Sequence, residues 1–263
     1  MYAFAYERPA SMADALAKIS AGGQALAGGQ TLIASLKQRL AQPSSLIDLA
    51  GVAELSGIKK EGNTLVIGAM TRHETVADSA EVQATIPALA ALAGGIGDRQ
   101  VRAMGTMGGS VANNDPAACY PSAVLALGAT VQTNKRTIAA DDYFQGMYTT
   151  ALEEGELITA IHFPAPQKAA YAKFRQPASR FALVGVFVAQ TANGVRVAIT
   201  GAGNGVFRHA GLEAALTKSF APEAVEGVAI DPAELNGDLH ASAAFRAQLI
   251  KVQTQKAVRQ ANG

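Results

Sequence analysis

Two short stretches hold the residues best suited to grip an anion. Residues 25–36 read ALAGGQTLIASL, and residues 105–121 read GTMGGSVANNDPAACYP. In the first, Gly28 and Gly29 remove side chains where main chain must come close to something, and Thr31 adds a hydroxyl. A short apolar run leads through these glycines into a helical pattern, so N–H groups at the helix start would face an anion. A tight turn, with glycine for positive φ and Thr31 as a cap, would need the same residues. In the second stretch Gly108 and Gly109 stand between Thr106 and Ser110, repeating that chemistry. Asn113, Asn114 and Asp115 add amide and carboxylate groups suited to sugar hydroxyls; a loop whose Asn and Asp cap their own backbone is the alternative. Two such stretches in one chain are more telling than either alone. A pyrophosphate presents two phosphates, and two Gly-Gly turns could cradle it from both sides.

Other chemistry-bearing residues do not assemble. The run GAGNG at 201–205 follows a strand-like segment, but Val206 stands where a dinucleotide fingerprint needs its third glycine. It reads as a structural turn. His73, His162, His209 and His240 are scattered without ligand spacing. Cys119 is the only cysteine, which excludes an internal disulfide framework and a cysteine-held iron–sulfur site. With two anion stretches and no evident acid, base or metal set, the chain reads as a cofactor holder whose chemistry is the cofactor's.

The elements that must position these stretches follow from patterning. YAFAYERP reads as a strand, SMADALAKIS as a helix capped by Ser11, ALA as a short strand, and QTLIASLKQRLAQP as a helix stopping before Pro43. SLIDL is a further strand. GIKKEGNTLVIGAM predicts a hairpin, and residues 71–97 two helices broken near Pro87. GELITAIHFP predicts a strand ending at Pro164, and TANG a hairpin between two strands. RHAGLEAALTK and the final 24 residues predict helices. The expectation is an α+β chain in three parts, 1–54, 55–168 and 169–263.

Bulk properties agree with a globular, anion-binding chain. The 263 residues are 49% apolar and 16% charged, enough to bury a sizeable core. A net charge of +1 gives no basic face for nucleic acid. No run of eighteen apolar residues and no basic, apolar leader occurs, so neither a membrane span nor secretion is expected, and the cytoplasm is the default compartment.

AGGQT at 27–31 and TMGGS at 106–110 together resemble the flavin-binding medium subunit, or flavin domain, of molybdenum hydroxylases such as xanthine dehydrogenase and carbon monoxide dehydrogenase. IGAMTRHETV, IGDRQVRAMGTMGGSVANNDPAA, GELITAIHFP, YAKFRQPASRFALVGVFV and GVRVAITGAGNGVFR extend the resemblance over essentially the whole chain. It implies a two-subdomain FAD-binding fold of the vanillyl-alcohol-oxidase-like (PCMH) type, followed by a carbon monoxide dehydrogenase flavoprotein-like α+β domain. It also implies roles. Ala27, Gly28, Gly29, Gln30, Thr31, Leu32 and Ile33, with Thr106, Gly108, Gly109 and Ser110, would hold the FAD pyrophosphate, mainly through backbone N–H groups. Asn114 and Asp115 would lie near the ribityl or adenosine portion. Ile96 and Ile158 would line the flavin, Arg175 would stand where relatives carry a Lys near the ring, and Phe181 would stack without a hydroxyl. Cys119 departs from the resemblance, because the family often has Asp after DPAA, and a thiol hydrogen-bonds weakly.

The resemblance further implies an electron-transfer role. A large molybdopterin subunit would hydroxylate substrate, a small subunit with two [2Fe–2S] clusters would relay electrons, and this chain's FAD would pass them to an acceptor, in a dimer of heterotrimers. Two other readings keep the fold. A stand-alone flavin oxidoreductase would need its own pocket with a base, and a flavin-free assembly protein would fit the loss of Asp at Cys119.

Overall fold

The computed structural model describes residues 1–263. The chain opens with β1 (Ala5–Glu7), α1 (Met12–Ser20), β2 (Gln24–Leu26), α2 (Leu32–Lys37) and β3 (Ser45–Asp48). The strands form a parallel sheet with β3 between β1 and β2. Ser11 starts α1 as expected, its hydroxyl accepting the Asp14 N–H at 3.2 Å. The helix α2 is shorter than its pattern suggests. Arg39 turns left-handed (φ 61°), its N–H donates to Leu36 O, and Leu40 N–H donates to Ser35 O, which closes the helix before Pro43 can.

The second segment holds β4 (Ile58–Glu61), β5 (Thr64–Gly68), α3 (His73–Asp78), α4 (Ala80–Thr85), α5 (Pro87–Gly94), α6 (Arg99–Met104), α7 (Met107–Asn113), α8 (Tyr120–Ala126), β6 (Thr130–Thr133), β7 (Thr137–Ala139), α9 (Ala140–Tyr143), β8 (Phe144–Gly146), β9 (Thr149–Thr150) and β10 (Ile158–Pro164). Five strands make an antiparallel sheet ordered β4-β5-β10-β6-β7, and β8-β9 is a separate hairpin. Two expected helices are three here. Ser79 breaks the first and caps the next, its hydroxyl accepting the Val82 N–H, while Pro87 starts α5. TMGGS is the start of a helix, not a loop.

The third segment comprises β11 (Lys168–Arg175), β12 (Ala182–Thr191), β13 (Gly194–Thr200), β14 (Phe207–Arg208), α10 (Ala210–Lys218) and α11 (Ala243–Asn262). Its four strands form an antiparallel sheet in chain order, with the predicted hairpin turning at residues 192–193. α11 covers one face of this sheet. On the other face Phe187, Ala189 and Ala198 join the core of the second segment, beside Leu89, Tyr120 and Ala123. No helix is long and apolar enough to cross a membrane.

Candidate cofactor cleft

The end of β5 positions the second glycine stretch. Ala69 O accepts the Gly108 N–H at 2.8 Å, and Thr71 O accepts the Met107 N–H at 3.0 Å. A side chain on Gly108 would put its Cβ 2.5 Å from the Ala69 Cβ, so only glycine lets α7 dock there. Thr106 caps the helix, its hydroxyl accepting the Gly109 N–H at 3.2 Å, and Ser110 N–H donates to Thr106 O at 3.1 Å. The first-turn donors of α7 are therefore spent inside the protein.

The first stretch is the reverse case. None of the main-chain N–H groups from Gly28 to Thr31 donates to a protein oxygen, and the Thr31 side chain makes no cap. Gly29 needs its glycine for a φ of 70°. Gln30 Nε2 staples the turn by donating to Gly28 O at 3.0 Å. Four successive unpaired donors make a nest that favours an anion.

The two stretches touch. A Cβ on Gly28 would lie 2.2 Å from Met104 O and 2.7 Å from Gly105 Cα, and one on Gly109 would lie 3.2 Å from the Ala27 Cβ. These contacts close one side of a cleft of about 680 Å³, within the roughly 300–1,000 Å³ of ordinary ligand clefts.

Fifteen of the expected site residues line this cleft: Ala27, Gly28, Gly29, Gln30, Thr31, Leu32, Ile96, Thr106, Gly108, Gly109, Ser110, Asp115, Cys119, Ile158 and Phe181. Three do not. Ile33 packs its δ-methyl onto Gly29 instead. Asn114 is wholly buried in a left-handed conformation (φ 44°), and its Nδ2 donates to Gly146 O at 2.8 Å and Thr149 O at 2.9 Å, which ties down the β8-β9 hairpin. Its neighbour Asn113 reaches the cleft in its place. Arg175 is exposed, past a register shift between Phe174 and Arg175 that breaks the alternation of β11.

The cleft cation on β11 is Lys173. Its Nζ donates to Gly95 O at 2.7 Å and to Arg180 O at 3.2 Å, and stands 3.4 Å from Cys119 Sγ. Cys119 is 5% exposed, so the position where the resemblance implies Asp is a thiol beside an ammonium group.

Two titratable groups on the wall have strongly shifted acidity. Burial, then the Arg102 charge, pushes His73 down to about 4, so the ring is neutral near pH 7. Hydrogen bonding from Arg136 leads in holding Glu156 at about 2, so that carboxylate enters as a paired charge. The sequence reading set His73 aside as a scattered histidine and did not single out Lys173, because their place in the cleft comes from tertiary packing and no spacing signal marks them.

The residues present fit a flavin dinucleotide. The nest offers donors for a pyrophosphate, Lys173 and Arg180 offer positive charge, and Ile96, Ile158 and Phe181 offer apolar surface for a ring.

Residues 2–166 match the family described as "FAD binding domain in molybdopterin dehydrogenase". The chain is 36% identical to the carbon monoxide dehydrogenase medium chain of Hydrogenophaga pseudoflava, with 94% of each chain covered. It is 35% identical to the nicotine 6-hydroxylase medium subunit of Paenarthrobacter nicotinovorans, covering 95% of this chain and 94% of that one. Among solved structures, reconstituted CO dehydrogenase from Oligotropha carboxidovorans superposes with a TM-score of 0.91 at 33% identity, covering 99% of this chain and 98% of that one.

Proposed function

We propose, from the premise that this chain belongs to the FAD-binding family of molybdopterin dehydrogenases, that it is the electron-transfer subunit of a heterotrimeric molybdenum hydroxylase. The observation that carries the reading is the run of unpaired N–H groups from Gly28 to Thr31 opening on a cleft walled by Thr106 to Ser110. In this reading the nest binds the pyrophosphate. The second stretch contributes close packing, the Ser110 hydroxyl and the wall opposite, because its own helix donors are engaged. Lys173 takes the role first given to Arg175, setting a positive charge beside the flavin ring. Ile96 and Ile158 hold the ring by apolar contact, and Phe181 covers an edge of it.

Bound FAD supplies reversible two-electron redox chemistry. The chain's residues bind it, orient it and keep one side of it dry. Relatives are named for carbon monoxide and nicotine, yet their medium subunits align end to end with this chain. Substrate choice then lies on a partner. The partners are a small subunit with two [2Fe–2S] clusters and a large molybdopterin subunit, assembled as a dimer of heterotrimers in the cytoplasm. Segments 1–54 and 55–168 act as the two flavin-binding subdomains and 169–263 as the C-terminal flavoprotein domain.

The test is flavin uptake by the full chain. After mixing with FAD and gel filtration, the protein fraction should carry flavin absorbance near one equivalent per chain. Protein that stays colourless overturns the reading. Isolation from its own cells should bring two further subunits with molybdenum and iron.

A further inference from the structure

His73 is the only histidine on the wall of the cofactor cleft. Its backbone fixes where the ring stands. The His73 N–H donates to Gly105 O at 3.0 Å, and Arg72 pairs with Thr106 in a single antiparallel bridge. The ring lies against the bare Cα of Gly105, where a Cβ would come 2.6 Å from Nε2. Gly105 also meets the first glycine stretch, since a Cβ on Gly28 would lie 2.7 Å from its Cα. One residue therefore stands between His73 and the unpaired N–H run at 28–31. Val101 continues the wall. Its O would lie 3.0 Å from a Cβ on Gly105, and its own Cβ 2.8 Å from one on Gly97, next to Ile96.

The protein gives this ring nothing to bond. Nδ1 is sealed from solvent without a partner, while Nε2, also unpartnered, keeps solvent contact. A histidine buried for packing ordinarily bonds the protein through at least one ring nitrogen. A phenyl ring would fill the space without the cost of burying a polar one. Burial and the Arg102 charge keep the ring neutral near pH 7, so it carries a single N–H. With no acceptor beside Nδ1, that proton belongs on Nε2, the nitrogen that meets the cleft. A neutral N–H there can donate to an anion. Arg102, held by Ile96 O at 2.9 Å and Gly97 O at 3.3 Å, adds positive potential.

We infer that His73 is a phosphate-binding residue of this cleft, its Nε2–H donating to the phosphate on the flavin side of the dinucleotide. This rests on the reading of the cleft as a flavin site. The order along the wall sets which phosphate: the nest comes first, then Gly105 with His73, then Val101, Gly97 and Ile96 at the ring end. The nest and His73 grip neighbouring phosphates, and the missing partner of the ring is the ligand.

FMN and riboflavin differ by one phosphate, so titrating the flavin-free full chain with each isolates the contact. His73→Phe should weaken FMN about tenfold, as expected for a lost hydrogen bond to a charged group, and leave riboflavin unchanged. His73→Gln, whose amide also donates, should recover most of the loss. A readout without flavin uses the wild type labelled with nitrogen-15 at histidine. Its His73 Nε2 signal, identified by its absence in His73→Gln, should shift saturably with inorganic pyrophosphate. Equal FMN affinity in wild type and His73→Phe, an equal loss for riboflavin and FMN, a His73→Gln no better than His73→Phe, or an unmoved His73 signal overturns the inference. The nitrogen signal stands even where His73→Phe misfolds. A chain whose His73 responds to pyrophosphate but which takes up no FAD keeps the phosphate contact and sinks the flavin reading. FAD uptake that His73→Phe does not weaken does the reverse.

Discussion

His73 lines the cofactor cleft at 4% exposure, its Nδ1 has no partner, and its ring packs against Tyr120 at 5.2 Å between centroids. Gly105 makes room for it, since a Cβ there would lie 2.6 Å from Nε2. Arg102 adds a positive charge nearby. A proton on this ring is therefore opposed twice, by burial and by charge. The consequence for stability has a definite sign. The folded value, about 4, lies below the ordinary 6.5, so between them the unfolded chain binds a proton that the folded chain refuses. Stability must fall as pH drops through that window, and the loss levels off below about 4. Its full size is about 3 kcal/mol at 1.36 kcal/mol per unit. Urea unfolding of the wild type and His73→Phe between about pH 7 and pH 4 should show a steeper loss of stability in the wild type, because the lowered His209 contributes a slope common to both. Parallel curves would show that the ring is not buried neutral. Glu156 does not confuse the comparison, because its shift to about 2 acts at lower pH and is common to both proteins.

Gly28 shows at the level of elements how a turn and a ligand cradle become one object. The sequence left it open whether AGGQT binds or merely turns. In the fold its glycine is required by contact with Met104 and Gly105, and the N–H groups from Gly28 to Thr31, on residues that line the cleft, have no protein acceptor. Gly28→Ala should separate the two stretches, cost about 1–3 kcal/mol by overpacking, and lower FAD uptake. Gly227→Ala, where a Cβ meets nothing within 4 Å, should leave both stability and uptake unchanged. Equal flavin content in the two variants would detach the glycine contact from binding. Much of this was legible beforehand. The strand-to-helix lead into Gly28, the Ser11 cap, the break at Pro87 and the 192–193 hairpin all follow from local residue chemistry. What was not legible depends on partners distant in sequence. TMGGS reads as a loop until Ala69 and Thr71 are seen to accept from its first turn. Arg175 and Lys173 share a side of an ideal strand, and a register shift against β12 falls between Phe174 and Arg175. Asn114 and Asn113 are adjacent amides, and the left-handed turn at Asn114 decides which one faces the cleft.

The whole molecule is tied together more tightly than its separate sheets suggest. The family match ends at residue 166, yet the core does not. Phe187, Ala189 and Ala198 of the last sheet lie in the same buried cluster as Leu89, Tyr120 and Ala123. Polar ties cross the same seam. Arg196 donates to Leu125 O at 2.7 and 3.0 Å, and Gly201 N–H donates to Pro116 O at 2.7 Å. Removing residues 167–263 would expose the apolar faces of α5 and α8 and leave Leu125 O and Pro116 O without these donors. The cleft would also lose Lys173, Arg180 and Phe181, its cation-bearing wall. The flavin-binding family segment should therefore not fold alone. A chain ending at Pro166 should aggregate or show no near-ultraviolet dichroism, while the full chain should unfold so that tyrosine fluorescence and far-ultraviolet dichroism trace one urea transition for the second and third segments. A soluble 1–166 fragment with a cooperative transition and bound FAD would show that the shared core is dispensable. If the fragment fails as expected, the C-terminal segment is a structural part of the cofactor cleft, since it supplies the wall at Phe181 and packs Phe187, Ala189 and Ala198 into the core that holds α5 and α8 in place.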